Sequence, residues 1–191
     1  MTNRVRIDAK DGILKRFENQ LGFLGEGKAR VAMARALNHT GRKAYTAVRQ
    51  ALRVQTSAPA AIIRQEVVFR GAAHKGSTAL EAIIRGRGSE LPLGIFKPQQ
   101  TEVGASAFVW GKRQVYVGTF GAPGDNAKLV ARLGGQPFHR EGAARYPIQR
   151  VFGPSLPKEM LKDETRATFE RISESDLQDR IAHEIARMLP G

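Results

Sequence analysis

The chain has 191 residues, 41% hydrophobic and 26% charged, enough for a packed core under a well-solvated surface. Lys and Arg number 31 against 18 Asp and Glu, and the net charge of +13 points to an anionic partner: nucleic acid, a membrane surface or an acidic protein face. The absence of cysteine excludes disulfides and thiolate metal sites, and the sequence holds neither a membrane-length apolar run nor an N-terminal apolar segment of signal type, so it is expected to stay in a cytoplasm.

The charge is uneven. Residues 1–56 carry twelve basic and four acidic side chains, residues 57–157 thirteen and six, and residues 158–191 six and eight. A basic body thus ends in a mildly acidic tail, which suits contact between subunits as well as contact with nucleic acid.

In chain order, residues 3–8 alternate, Val5 and Ile7 against Arg4, Arg6 and Asp8, which predicts a short half-buried strand. Asp11 caps an expected helix through Ile13, Leu14, Phe17 and Leu21, and the glycines from Gly22 to Gly27 break it. A long helix is predicted over 28–54. Val31, Ala34, Leu37, Gly41, Ala44, Val48 and Ala51 recur at threes and fours, and the small members of this stripe permit close packing. Ser57 before Pro59 reads as a helix start, leading into a short helix through Ile62, Ile63 and Val67.

Glycine and proline then punctuate short runs of β-formers. Strands are expected at 80–85, 93–96, 106–110, 114–120, 129–133 and 148–152, with a hairpin turning at Gly111 and long loops at 121–127 and 134–145. Together they predict an antiparallel sheet. Gly153 and Pro154 stop the last strand, and Ser155 with Pro157 opens a C-terminal helix. Its apolar stripe runs from Met160 to Met188, Asp176 pairs with Arg180, and Ser173–Ser175 marks a break. The expected architecture is α+β in one domain over 1–191: an N-terminal strand and helix (1–27), a helical region (28–67), a β-rich region (68–153) and a C-terminal helix (154–191).

The motifs of catalysis are incomplete. Gly22 to Lys28 fits a phosphate loop, but Ala29 stands where the magnesium-binding hydroxyl belongs, and the preceding segment reads as helix rather than buried strand. His183-Glu184 begins a zinc-protease motif whose second histidine is replaced by Arg187, so the pair is read as a solvated helix face. His39 and His139 have no neighbouring carboxylate or nucleophile that would complete a set. Neither an enzyme, a cofactor nor a metal is expected.

The basic helix is more informative. Lys28, Arg35, Arg42 and Arg49 are spaced by seven, Arg53 follows, and no acidic residue lies between 28 and 53. Heptad spacing drifts only about 20° per step, so these side chains share one stripe. It suits phosphate neutralisation, docking on an acidic protein, or plain solvation. Recognition of DNA by a helix-turn-helix lacks its partner helix, and Tyr45 alone is too little aromatic surface for a stacking platform. A second distinctive run begins at Tyr146, Pro147 and Ile148, passes Phe152 and ends at Pro157, a strand framed by prolines.

The segment from Ala36 to Ala44 with its basic helix, and the run from Tyr146 to Pro157, resemble the phage minor tail protein Z family. The order of elements over about 28–190 is also similar, with 86–142 matching only loosely. The resemblance implies a tail completion or minor tail protein with an α+β fold, acting late in tail assembly near the head-proximal end as a homo-oligomeric, sixfold ring. It implies other tail proteins as partners (a tail terminator, the tail tube or the tape measure protein), no membrane, and a place in the virion tail after assembly in the host cytoplasm. The family has no catalytic residues to carry over. The interaction residues expected are Lys28, Arg35, Arg42, Arg49, Arg53, Tyr146, Pro147 and Phe152. The competing reading is a non-specific nucleic-acid-binding protein that uses the basic helix and comes transiently close to DNA.

Overall fold

The computed structural model describes residues 3–8, 17, 19, 22, 25–72 and 80–189. The fold is α+β. Strand β1 (Arg4–Asp8) is the predicted one, with Ile7 buried and Arg4 and Arg6 exposed. Of the helix expected after it, Phe17, Asn19 and Gly22 are helical and the other positions lie outside the described residues.

Helix α1 (Glu26–Thr56) starts behind Gly25, whose φ of 73° suits glycine. It ends when Ser57 turns left-handed (φ 61°) and returns its N–H to the Arg53 carbonyl. Ser57 therefore closes α1 rather than opening the next helix. Pro59 stands just before α2 (Ala60–Glu66), and Val67 already belongs to β2 (Val67–Arg70).

The small stripe of α1 does what its sequence implies. Gly41 lies so close to the sheet that a Cβ there would meet the Phe69 ring at 2.8 Å and the Ala82 Cβ at 3.1 Å. That sheet is three-stranded and antiparallel in the order β1-β3-β2, with β3 (Glu81–Gly86) in the centre. Leu37, Val48 and Leu52 of α1 are fully buried with Ile84 of β3 and Ile63 of α2 in one apolar cluster.

Two of the expected strands are helical. The Leu93–Phe96 segment is a 3₁₀ turn that follows Pro92 and stops at the left-handed Lys97. The expected strand at 129–133 lies in helix α3 (Ala127–Leu133). The Asn126 side chain accepts from the amides of Lys128 and Leu129 at its start, and Gly134 turns left-handed at its end. This pair of caps overrides the β-forming composition. The β-rich region also divides. Among the described residues it forms a three-stranded antiparallel sheet of β5 (Gln99–Thr101), β6 (Gly104–Val109) and β7 (Lys112–Val117), plus the pairs β4 (Glu90–Pro92) with β10 (Phe152–Ser155) and β8 (Phe138–Arg140) with β9 (Ile148–Arg150). The expected hairpin is present but turns at Trp110-Gly111, so Lys112 and Arg113, expected in the turn after Gly111, already belong to β7. Gly153 and Pro154 lie inside β10 instead of ending it. The pairing with β4 shifts register between Phe152 and Ser155, and such an irregular two-stranded ladder tolerates the missing proline N–H.

After Ser155 come a short helix, α4 (Leu156–Glu159), and the long α5 (Asp163–Ala186). The break falls at 160–162 rather than at Ser173–Ser175. Within α5 the Ser175 hydroxyl donates to the Arg171 carbonyl one turn back, so the serine is absorbed by the helix. Helix α5 runs antiparallel to α1: Gln55 meets Thr165, and Thr40 meets Asp176. Leu177, Ile181 and Ile185 are buried in the same cluster as Leu37. The layers are thus α5, α1, then the β1-β3-β2 sheet.

Candidate functional site

The basic stripe is real and mostly outward. Lys28, Arg35, Arg42 and Arg53 are exposed on α1, along the edge away from α5. Arg49 departs from the expectation of a free cation. Its guanidinium lies over the Tyr45 ring at 5.1 Å, the residue is half-buried, and its Nε is enclosed without a hydrogen-bond partner. Arg42 leans over Phe69 at 5.8 Å while staying exposed. Tyr45 donates its hydroxyl to the Val67 carbonyl, which ties this aromatic ledge to β2. The stripe is therefore part cation, part cation–π shelf.

On the other flank of α1, opposite charges meet within the chain. Asp176 of α5 accepts from the Thr40 hydroxyl at 2.7 Å and from the Lys43 ammonium. Asp176 does not pair with Arg180 as its spacing suggested. Instead Arg180 reaches Glu184 at 2.6 Å. The reason is burial: Glu184 is 1% exposed, not a solvated face, and Arg180 with Arg187 supplies its countercharge. Gln55 is a second link, giving an N–H to the Glu159 carboxylate and accepting from the Thr165 hydroxyl.

Burial alone pushes the Asp176 carboxyl up, but Lys43 and Thr40, with His39 nearby, outweigh it and hold it below the usual carboxylate range. A depressed folded-state value means stability that is present above the unfolded value, about 4, and lost as pH falls through the folded one. Asp176→Asn is therefore expected to cost up to about 1 kcal/mol near neutral pH. The gap between its thermal midpoint and that of the wild type should shrink below about pH 4. A gap independent of pH would remove the charge from the account.

Lys28 sits in the first turn of α1, and Phe17, Asn19 and Gly22 in the segment just ahead of it are helical. A phosphate loop needs a buried strand there. No turnover of ATP or GTP with magnesium is expected. Turnover that disappears in Lys28→Ala would overturn this reading. Among the described residues no cluster of His, Asp and Glu could hold a metal, and no helix is long and apolar enough to cross a membrane.

Tyr146, Pro147 and Phe152 belong to a different surface. Tyr146 is 61% exposed with Arg145 over its ring, in the bend before β9, and its bond to the exposed Pro147 is cis. Phe152 is 44% exposed and lines an open cleft of about 260 Å³ with Asn3, Glu90, Ser155 and Lys158. This unit reaches the helical layers through α4, and the stripe and the aromatic residues are not gathered into one site.

Sequence reasoning missed a third surface. The register of β6 and β7 puts Phe108, Val115 and Val117 on one face, all exposed, with Arg113 among them. Alternation in Gln114–Val117 was the available signal. Comparison with protein-family models, curated proteins and solved structures gives no match to this chain.

Proposed function

We propose that the chain is a structural protein of a bacteriophage tail, a minor tail or tail completion subunit that forms a homo-oligomeric ring near the head-proximal end and supports head–tail joining. The ring is a hexamer in this reading, its partners are a tail terminator, the tail tube or the tape measure protein, and its place is the virion tail. One observation carries the reading: two long helices, packed side by side, turn unlike charge outward. Helix α1 presents Lys28, Arg35, Arg42 and Arg53, while α5 is acidic on balance: Asp163, Glu164, Glu174 and Asp179 are exposed beside Arg171, and Glu170 is paired with Arg166. A protomer with a basic and an acidic flank fits a head-to-tail contact, the kind that closes into rings. The resemblance of the two segments to the minor tail protein Z family names the assembly. The protein acts by geometry in this account, without catalysis or cofactor.

The test is particle production without the chain. Tails that assemble but fail to join filled heads, restored when the chain is supplied, are expected. Normal infectious particles would end the reading. The second reading, non-specific nucleic-acid binding, is favoured by the same exposed arginines. It predicts DNA retention that falls steeply between low and physiological salt.

A further inference from the structure

The outer face of the β5–β7 sheet carries an apolar patch beside Arg113, which bonds across the face to the Ser106 hydroxyl, and the patch has no covering element among the described residues. Strand β7 lies at the sheet edge, and the face carries Phe108, Val115 and Val117. At its tip Trp110 holds φ at 51° and is still 38% exposed. The left-handed region suits glycine, asparagine or aspartate in a two-residue hairpin turn; a tryptophan there is strained. The tip is also clamped, since the Trp110 amide donates to the Thr56 carbonyl and the Gly111 amide to the Ser57 hydroxyl. An aromatic side chain is thus fixed outward at a local cost, at a tip that continues into Lys112 and Arg113, the latter exposed with its guanidinium on the Ser106 hydroxyl.

The same end of α1 carries a patch of the opposite sign. Gln55 anchors the α4–α5 corner through Glu159 and Thr165, and that corner exposes Leu161, Asp163 and Glu164, while its exposed lysines, Lys158 and Lys162, are already paired with Glu90 and Glu159. Because Gln55 and Thr56 are neighbours, the basic aromatic tip and the acidic corner stand at one level along α1. A rotation about an axis parallel to α1 carries one patch towards the other in a second copy.

We infer that the β6–β7 tip of one copy docks on the α4–α5 corner of the next, Trp110 against Leu161 and Lys112 and Arg113 against Asp163 and Glu164. This rests on the ring reading and names its contact. Self-pairing of the two β7 edges would lengthen the sheet and leave its outer face open, and it would offer Lys112 and Arg113 no acidic partner, since β7 holds neither Asp nor Glu. Charge therefore selects the acidic corner.

The test uses the purified full chain and sedimentation. Lys112→Glu with Arg113→Glu, and separately Asp163→Lys with Glu164→Lys, should each weaken association about tenfold or more. An equimolar mixture of the two variants should re-associate, since each supplies the complement of the other's altered side. Trp110→Asn, which keeps a residue suited to the turn, should weaken association with an unchanged circular dichroism spectrum. The chain has no cysteine, so Lys112→Cys with Glu164→Cys adds a clean crosslinking test. Oxidation should give a ladder beyond the dimer, and each single cysteine should give none. Dimers from Lys112→Cys alone would mean that two tips meet each other and overturn the inference. An oligomer with no ladder would overturn the contact but leave the ring. A monomer at all concentrations would overturn both. Reversal variants that associate normally but lose retention of single-stranded DNA would assign the tip to nucleic acid instead.

Discussion

Reversing Arg35 and Arg42 to glutamate is expected to block assembly of the chain into tails while leaving its fold intact. Both side chains are exposed on α1, and the buried stripe that holds the helix to its neighbours is on other faces. Fold loss is therefore small, about 1 kcal/mol, chiefly from the lost contact of Arg42 with the Phe69 ring. The assembly effect is larger because a closed ring repeats each contact around its axis. A single exposed pair contributes only about 0.2–1 kcal/mol, so the charges set register while apolar burial supplies affinity. Arg42 is level with Glu174 and Asp176, as the Thr40–Asp176 bond fixes. Asp176 is already engaged by Lys43 and Glu170 by Arg166, which leaves Glu174 as the exposed complement for a neighbouring copy. A compensating Glu174→Arg is expected to restore assembly in part. If the double reversal assembles normally and the particles fail to retain DNA, the stripe faces the DNA path. If neither changes, it is a solvated face.

Leu37→Ala is expected to lower stability by about 2–5 kcal/mol, read as a shift of the denaturation midpoint at unchanged slope. Leu37 is fully buried halfway along α1 and belongs to the cluster that includes residues of β3 and α5. A loss well under about 1 kcal/mol would mean that the layers close over the void.

The long elements were legible because their signals are long. Helix α1 repeats its small residues over many turns, and Val5 and Ile7 alternate cleanly. The hairpin at Trp110-Gly111 had its glycine. The segment at 129–133 misled because leucine and valine suggest a strand while the deciding information sits outside it, in Asn126 and Gly134. Glu184 misled in a different way. No local rule says that a carboxylate beside His183 is buried, because the layer that covers it is α1, some 150 residues away in the chain. The basic stripe was visible as spacing, but not that Arg49 would lie down on Tyr45. The surface formed by Phe108, Val115 and Val117 was hidden because composition cannot tell an outward apolar face from an inward one. Only the register does.

Helix α1 also has a mechanical meaning. Its 31 residues form a rod about 46 Å long. One flank is bonded to α5 through Thr40, Lys43 and Gln55, the sheet abuts Gly41, and the tip of the β6–β7 hairpin hangs from its final turn. A hydrogen-bonded rod of this kind resists bending far better than the short strands around it. A push on the Trp110 tip is delivered to the C-terminal end of α1 and travels along its axis toward Lys28, instead of dissipating in the loops. In the ring proposed above, this makes α1 a strut.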